Sequence, residues 1–282
     1  MGGGDSGAPG GSSGGAAKAA LNKDKYKKGS GGPGKKRWGG SSGDAAIPED
    51  ELIDWQVAKI DKIESYQKKK KPIILFFLEE GMDAVDGSRE IHDKELAEMA
   101  KKGDAVFLLI EHNGDRTPSL DTGSPIPTSK LASPNPAREY KVNKYPSLLV
   151  CDYHGNEYHR FDKCPTVKDL KKRLDGLGDA IEAAEQRLRK NVDLAKGQLE
   201  KKDYRKFFQS LFTNFKEGIV GLEAQNEGIK IYREVIDTTR EEINDILEKR
   251  PADGQARLKE LSKNFRDTEL RKEIDDAIKI LK

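Results

Sequence analysis

Residues 138–161 decide the fold of this chain, and they read REYKVNKYPSLLVCDYHGNEYHRF. A short helix is predicted over residues 136–140, because a proline suits the first helical turn. An apolar strand follows at 148–152, then a turn at 153–156 that contains a glycine, and a second strand at 157–161. Since only a short turn separates these two strands, we predict an antiparallel hairpin.

Two further strands precede this stretch. Residues 72–78 and 105–110 are short apolar runs rich in branched and aromatic residues, which is typical of strands buried on both faces. A helix is predicted between them over residues 90–102, and strand, helix, strand implies a right-handed parallel crossover. With a closing helix at 166–174, these elements predict an α/β domain whose central mixed sheet is flanked by helices.

A proline-rich loop is predicted between the crossover and the hairpin. Residues 113–136 hold five of the twelve prolines of the chain. Loops of this length inside a domain are uncommon and tend to carry function. We expect this loop to lead towards the start of the hairpin, where it could act as a lid.

The first 70 residues divide into a tail and a helix. Residues 1–45 hold fifteen of the 28 glycines, with eight basic against three acidic side chains. They cannot bury enough apolar surface to offset their ordering entropy, so they are predicted to be a disordered Gly/Ser/Lys-rich tail. The tail either solubilises the chain, which its dilute charge favours, or binds nucleic acid or ribosomes weakly. Residues 46–70 are predicted to form a leading amphipathic helix, because Leu52, Trp55 and Ile60 recur at roughly helical spacing.

The element order and the hairpin sequence together resemble the thioredoxin superfamily. In that family a helix ending in a Tyr-x-Val pattern leads into an aromatic–Pro–Ser/Thr–apolar strand, followed by an Asp, a glycine turn and a paired strand. The resemblance spans roughly residues 68–176 and implies a thioredoxin-like domain at 71–176. It also implies a cis peptide bond between Tyr145 and Pro146, and X-Pro is the bond type for which cis costs little.

The residues that carry the family's redox chemistry are missing from this sequence. The resemblance places a Cys-x-x-Cys motif at the start of the helix after the first strand, where the helix terminus lowers the thiol pKa. The matching region, residues 79–90, reads EEGMDAVDGSRE and has no cysteine. Dithiol chemistry at that site is therefore excluded, and the domain is predicted to be redox-inactive.

The two cysteines of the chain offer a weaker alternative chemistry. Cys164 lies about 20 Å along the hairpin from the position opposite Cys151, too far for a disulfide. A single-cysteine thiol redox protein using either residue is the rival interpretation. None of the four histidines has zinc-site spacing, and no glycine-rich phosphate loop follows a strand. We therefore predict no metal, no cofactor and no catalytic residues.

From residue 177 the pattern is helical, and residues 177–282 are predicted to form an all-α bundle or hairpin domain. An aromatic stripe and a heptad seam mark two of its helices. The stripe comprises Tyr204, Phe207, Phe208, Leu211, Phe212, Phe215 and Ile219. The seam comprises Ile229, Tyr232, Ile236, Thr239, Ile243 and Ile246. These faces either pack within the chain, which we favour, or pair two copies as a homodimer.

Length and composition limit the number of domains and the possible locations of the chain. A chain of 282 residues suits two modest domains plus a tail. Its longest apolar run, residues 72–78, is too short to span a membrane as a helix, so no membrane span is predicted. Met1 leads straight into glycines, which predicts a cytoplasmic protein. An exported protein whose leader had been replaced by Met1 would look the same.

These observations favour a protein-interaction module over an enzyme. The resemblance points to a groove beside Tyr145 and Pro146, with Ser88 and Arg89 at the helix start opposite. An extended peptide could add there as a strand, and the helix N–H groups and Arg89 suit a partner carboxylate. Alternatively, this face packs against residues 177–282, and the helices then provide the interaction surface.

Overall fold

The computed structural model describes residues 46–58, 63–79, 81–112 and 123–281. Within them lie the strands β1 (Gln56–Val57), β2 (Ile73–Glu79), β3 (Val106–His112), β4 (Ser147–Cys151) and β5 (Glu157–Phe161). They form one mixed sheet in the order β1-β3-β2-β4-β5. β3 is parallel to β1 and β2, whereas β4 is antiparallel to both β2 and β5. The predicted parallel crossover and antiparallel hairpin are therefore confirmed. The predicted tail lies outside the described residues, as does part of the predicted loop.

Five helices belong to the part of the chain that builds this sheet. They are α1 (Ile63–Lys69), α2 (Ala84–Gly87), α3 (Lys94–Lys102), α4 (Pro136–Glu139) and α5 (Val167–Asp175), with a 3-10 turn at Arg89–Ile91. The Asp93 carboxylate accepts hydrogen bonds from the N–H groups of Glu95 and Leu96, so α3 starts later than predicted. Gly103, in the left-handed conformation at φ 70°, ends it.

The leading helix predicted over residues 46–70 is wrong for most of its length. The described residues 46–58 contain a turn and β1 rather than helix, and the described helix α1 covers Ile63–Lys69. The burial of this segment alternates with the period of a strand: Ile53 is buried and Trp55 is half-buried, whereas Asp54 and Gln56 are exposed. The ring of Trp55 stacks on Phe76 of β2 at a centroid distance of 4.9 Å.

Each face of the sheet carries its own apolar cluster. On the α3 face, Ile74, Phe76 and Leu78 of β2 pack with Leu96 of α3 and Leu170 of α5. On the α4 face, Ile73, Leu75 and Phe77 of β2 pack with Tyr66 of α1 and Ala137 of α4. β2 is therefore apolar throughout its buried length, as a strand covered on both faces must be.

The helical part of the chain packs on itself. It comprises α6 (Leu177–Glu200), α7 (Tyr204–Glu217), α8 (Glu223–Lys249), α9 (Gly254–Asn264) and α10 (Leu270–Ile280). The core takes in most of the aromatic stripe and the seam residues Tyr232, Ile236, Ile243 and Ile246. Because those side chains are buried within one chain, the seam cannot also pair with a second copy. The homodimer predicted through this seam is therefore not supported, and the internal packing that we favoured is found.

The β4–β5 turn joins the sheet to the helical part. The side-chain amide of Asn156 donates to the carbonyl oxygen of Val220 and accepts the Val220 N–H, both at 2.8 Å. The buried Asp152 carboxylate holds Asn156 in place by accepting its side-chain N–H at 2.7 Å. Beside this contact Gly221 has φ +81°, and a Cβ there would lie 2.2 Å from the His154 ring. Only glycine fits this close approach.

Candidate interaction site at the cis-proline

The peptide bond between Tyr145 and Pro146 is cis, the geometry that the resemblance implies. The residues before it are held locally: the Asn135 side chain caps α4 by accepting the Arg138 N–H at 3.1 Å. After the bond, the Ser147 hydroxyl donates to the Lys144 carbonyl oxygen at 2.7 Å, and β4 begins. Tyr145 and Pro146 are both half-buried, so part of each remains accessible from solvent.

Tyr145 lies at the edge of the α4 face, where its ring packs against the apolar cluster. Burial raises the pKa of its phenol, and the negative charge of Glu79 at the end of β2 raises it further. Lys144, next in the chain, forms an exposed ion pair with Asp162 at 3.2 Å. The accessible surface around the cis bond therefore combines an aromatic ring and a proline with charges of both signs.

The structure does not bring Ser88 to this surface. Ser88 is completely buried, and its hydroxyl donates to the Ala84 carbonyl oxygen at 2.6 Å and accepts the Trp55 indole N–H at 3.1 Å. It lies beside Ala84, which belongs to the α3 face, whereas Tyr145 lies on the α4 face. The prediction that Ser88 contacts a partner is therefore wrong, because Ser88 is buried beneath the segment that holds Trp55.

The start of α2 offers a partner carboxylate less than predicted. Asp83 caps this helix, and its carboxylate already accepts the N–H groups of Val85 and Asp86 at 2.9 and 3.1 Å. The Asp83 carboxylate thus occupies the N-terminus of α2, where we had expected a partner carboxylate to bind. Arg89 is exposed, but its guanidinium donates to the Asp86 carboxylate at 3.3 Å. Arg89 therefore remains a candidate contact for a partner. The N–H groups of α2 beside it do not, because Asp83 already binds them.

Ser88 and His92 form a pair that sequence reasoning missed. Their Oγ and Nε2 atoms lie 3.1 Å apart, and the Nδ1 atom of His92 accepts the backbone N–H of Ile53 at 3.0 Å. Because Nδ1 is an acceptor, the proton of the neutral ring is on Nε2 and points at Ser88. A ring in this tautomer cannot take the serine proton, so the pair is not a nucleophile with its base. The only indication of this pair in the sequence is that Ser88 and His92 lie four residues apart.

Both thiols are buried, and no disulfide joins them. Burial raises the pKa of the Cys151 thiol well above its usual range, with a further contribution from Asp152. Burial and the charge of Glu90 raise the pKa of the Cys164 thiol to about 12. Cys151 packs on the α4 face and Cys164 on the α3 face, so the sheet separates them. The predicted lack of a disulfide is confirmed, and neither thiol is poised as a thiolate.

The described residues were also compared with the requirements of a metal site and of a membrane span. They contain no group of three His, Cys, Asp or Glu side chains arranged to hold a metal ion. No helix among them combines the length and the apolar character needed to cross a bilayer.

Comparisons with known proteins show little. No family model matches the chain, and no curated protein is similar to it. Among solved structures, a chain titled DsbH Oxidoreductase is 18% identical, with a TM-score of 0.31. The similarity covers 49% of this chain and 95% of that one. The α/β part with its mixed sheet and the helices that follow are described by this chain's own structure, and this likeness carries no argument.

Proposed function

We propose that the sheet part of this chain is a thioredoxin-like domain that binds a partner protein or peptide without redox chemistry. The observation that carries the proposal is the half-buried Tyr145–Pro146 pair at the start of β4. An aromatic ring held partly in a core, beside a proline, loses little conformational entropy when it contacts a ligand. Such anchors dominate many interfaces between proteins.

The position of the helical part supports this use of the surface. The apolar cluster that includes Tyr145 is built from residues 58–151, and no side chain of α6–α10 contributes to it. The helical part instead meets the sheet beyond the opposite end of β4, through Asn156 and Val220, and on the α3 face, where Leu177 and Ile181 of α6 pack. This arrangement argues against the alternative that the helices cover the cis-proline face.

Two rival functions stay proposals with less support. A single-cysteine redox protein needs a reactive thiolate, and the raised pKa values of Cys151 and Cys164 oppose one. Nucleic-acid or ribosome binding would use residues 1–45, which lie outside the described residues. It predicts binding that weakens steeply with salt and disappears when those residues are deleted.

A peptide-display selection on the full-length chain tests the interaction proposal. Dodecapeptides enriched from a phage library would be synthesised, and their affinities measured by fluorescence polarisation. We expect Tyr145→Ala to weaken binding at least about tenfold, since truncation of a central aromatic anchor costs about 2 kcal/mol or more.

The matched control is Tyr153→Ala, which removes a half-buried tyrosine beyond the other end of β4. We expect it to leave the affinity within about twofold, as befits a residue away from the interface. Peptides that bind the wild type and Tyr145→Ala equally well would refute the proposed site. A selection that enriches no binding peptide would refute binding of extended peptides altogether.

A further inference from the structure

Residues 46–58 form a strap that lies across the edge of the sheet. The strap turns at residues 49–51, and its β1 residues Gln56 and Val57 pair in parallel with Leu108 and Leu109 of β3. Ile53 is buried in the α3 face. The strap is also held by Trp55, whose ring stacks on Phe76 and packs edge-on against Phe107, and by the exposed ion pair between Asp50 and Lys94 at 3.6 Å.

His92 holds the middle of this strap by a hydrogen bond in which the strap backbone donates and the ring accepts. Its Nδ1 accepts the Ile53 N–H at 3.0 Å, across 39 residues of sequence. Its Nε2 donates to Ser88, which also accepts the indole N–H of Trp55 at 3.1 Å. One neutral ring and one hydroxyl thus join the Ile53 backbone and the half-buried Trp55 side chain of the strap to the segment after α2.

We propose that His92 is a pH-sensitive latch that releases the strap when its ring is protonated. A protonated imidazole carries a hydrogen on both nitrogens. The new Nδ1–H would face the Ile53 N–H, so an attractive contact becomes a repulsive one between two donors. The ring and the strap must then separate, or Ile53 must leave a buried N–H without an acceptor.

The surroundings of His92 lower its pKa on balance, although the Glu51 carbonyl, which belongs to the strap itself, opposes this direction. Burial lowers the pKa of the latched ring below its ordinary value of 6.5; backbone carbonyls of Glu51 and Val85 raise it, and the positive charge of Arg89 lowers it. The neighbouring Asp93 carboxylate is neutralised by Lys171 of α5 at 3.0 Å.

The sign of the pH dependence follows from the lowered pKa. The released ring binds a proton more readily than the latched ring, so the latch is complete above pH 6.5 and weakens as the pH falls below it. The ratio of released to latched chains rises by at most about tenfold for each pH unit between 6.5 and the latched pKa.

Release would uncover an apolar strand edge. The N–H of Ala58 and the two residues of β1 pair with β3, whose residues 106–110 are all apolar. An uncovered edge of this kind can accept another strand. Release would also take the Trp55 ring away from Phe76, which gives the event an optical signal.

The test uses the full-length chain with Trp38→Phe, which leaves Trp55 as the single tryptophan. Its fluorescence maximum and the far-UV circular dichroism would be followed from pH 8 to pH 4.5. We expect a red shift with a midpoint below pH 6.5, while the circular dichroism stays constant. His92→Asn should abolish the shift, because asparagine can accept the Ile53 N–H through Oδ1 and does not titrate.

The matched control is His159→Asn, since His159 also has a pKa lowered by burial but packs against Phe161 on β5. This variant should keep the shift. An identical red shift of the Trp55 emission in His92→Asn would overturn the latch. Loss of the circular dichroism at the same midpoint would also overturn it, because the whole chain would then be unfolding. Should His92→Asn fail to fold, NMR titration of the His92 ring in the Trp38→Phe chain decides. A ring midpoint at or above 6.5, or one that differs from the fluorescence midpoint, also overturns the latch.

Discussion

The sheet part and the helical part of this chain use buried polar groups differently. In the sheet part they connect distant segments: Ser88 binds Trp55, and Asn156 reaches Val220 in the helical part. The core of the helical part is an aromatic cluster set among aliphatic side chains, and its buried Asn214 joins neighbouring helices by donating to the Leu188 carbonyl oxygen at 2.9 Å. Ion pairs such as that between Arg240 and Glu273 lie on its surface. We therefore expect the helical part to be sensitive to lost volume and the sheet part to be sensitive to lost hydrogen bonds.

The largest effect should follow loss of volume in the aromatic core. Phe208 is buried and its ring contacts those of Phe207, Phe212, Tyr232 and Phe265. Phe208→Ala should lower the free energy of unfolding by about 3–5 kcal/mol, from lost transfer energy plus the cavity. Urea unfolding followed by circular dichroism measures this change.

The same variant examines the domain boundary predicted near residue 176, which falls between α5 and α6. In the Trp38→Phe background, Trp55 fluorescence reports on the sheet part alone. We expect the helical signal to be lost at lower urea concentration than the Trp55 signal. Coincident transitions would mean that the two parts unfold as one cooperative unit.

The next largest effect should come from the contact between the two parts. Asn156→Ala removes both hydrogen bonds to the half-buried Val220 and takes a hydrogen-bond donor from the buried Asp152 carboxylate. We expect a loss of about 2–3 kcal/mol, because buried polar groups without partners are costly.

Asn156→Asp is the matched variant for this contact. It keeps an acceptor for the Val220 N–H but places a second carboxylate against Asp152. It should destabilise the chain more at pH 7 than at pH 5, since protonation relieves the repulsion. A loss below about 0.5 kcal/mol in Asn156→Ala would show that this junction contributes little.

Local patterns predicted the strands, the hairpin and the C-terminal helices, because each of these elements is encoded by residues close in sequence. The leading segment failed because Leu52 and Trp55 fit a helical spacing by chance, whereas the contact that fixes the backbone joins Ile53 to His92, 39 residues away. The Ser88 prediction failed for the same reason: the resemblance placed Ser88 at the helix start facing the groove, but Trp55, 33 residues away, covers it. Contacts between residues distant in sequence leave no local pattern to read.

A smaller effect is expected from the hydrogen bonds under the strap. Ser88→Ala leaves the Trp55 indole N–H without its acceptor and takes the Ser88 hydroxyl from His92. We expect a loss of about 1–2 kcal/mol and a red-shifted Trp55 emission at pH 8. Ser133→Ala, at a half-buried serine whose hydroxyl accepts the N–H of Asn135 two residues away, should change the stability much less and leave the Trp55 emission unchanged. Equal losses in the two variants would contradict the special role of Ser88.

The smallest effect should come from the surface of the helical part. Arg240 and Glu273 form an ion pair at 3.1 Å between α8 and α10, and both side chains are exposed. Arg240→Ala should cost less than about 1 kcal/mol, because water and salt screen such pairs. A cost comparable with that of Phe208→Ala would mean that charge pairing stabilises the helical part as strongly as its aromatic core.

The central claim is that the sheet part contacts its partner without thiol chemistry, and an insulin-reduction assay tests the chemical half of that claim most directly. Insulin would be reduced by dithiothreitol with and without the full-length chain, and turbidity recorded at pH 7. Because Cys151 and Cys164 are buried with raised pKa values, the rate should equal that of dithiothreitol alone. A faster rate that disappears in Cys151→Ala or Cys164→Ala would contradict the account.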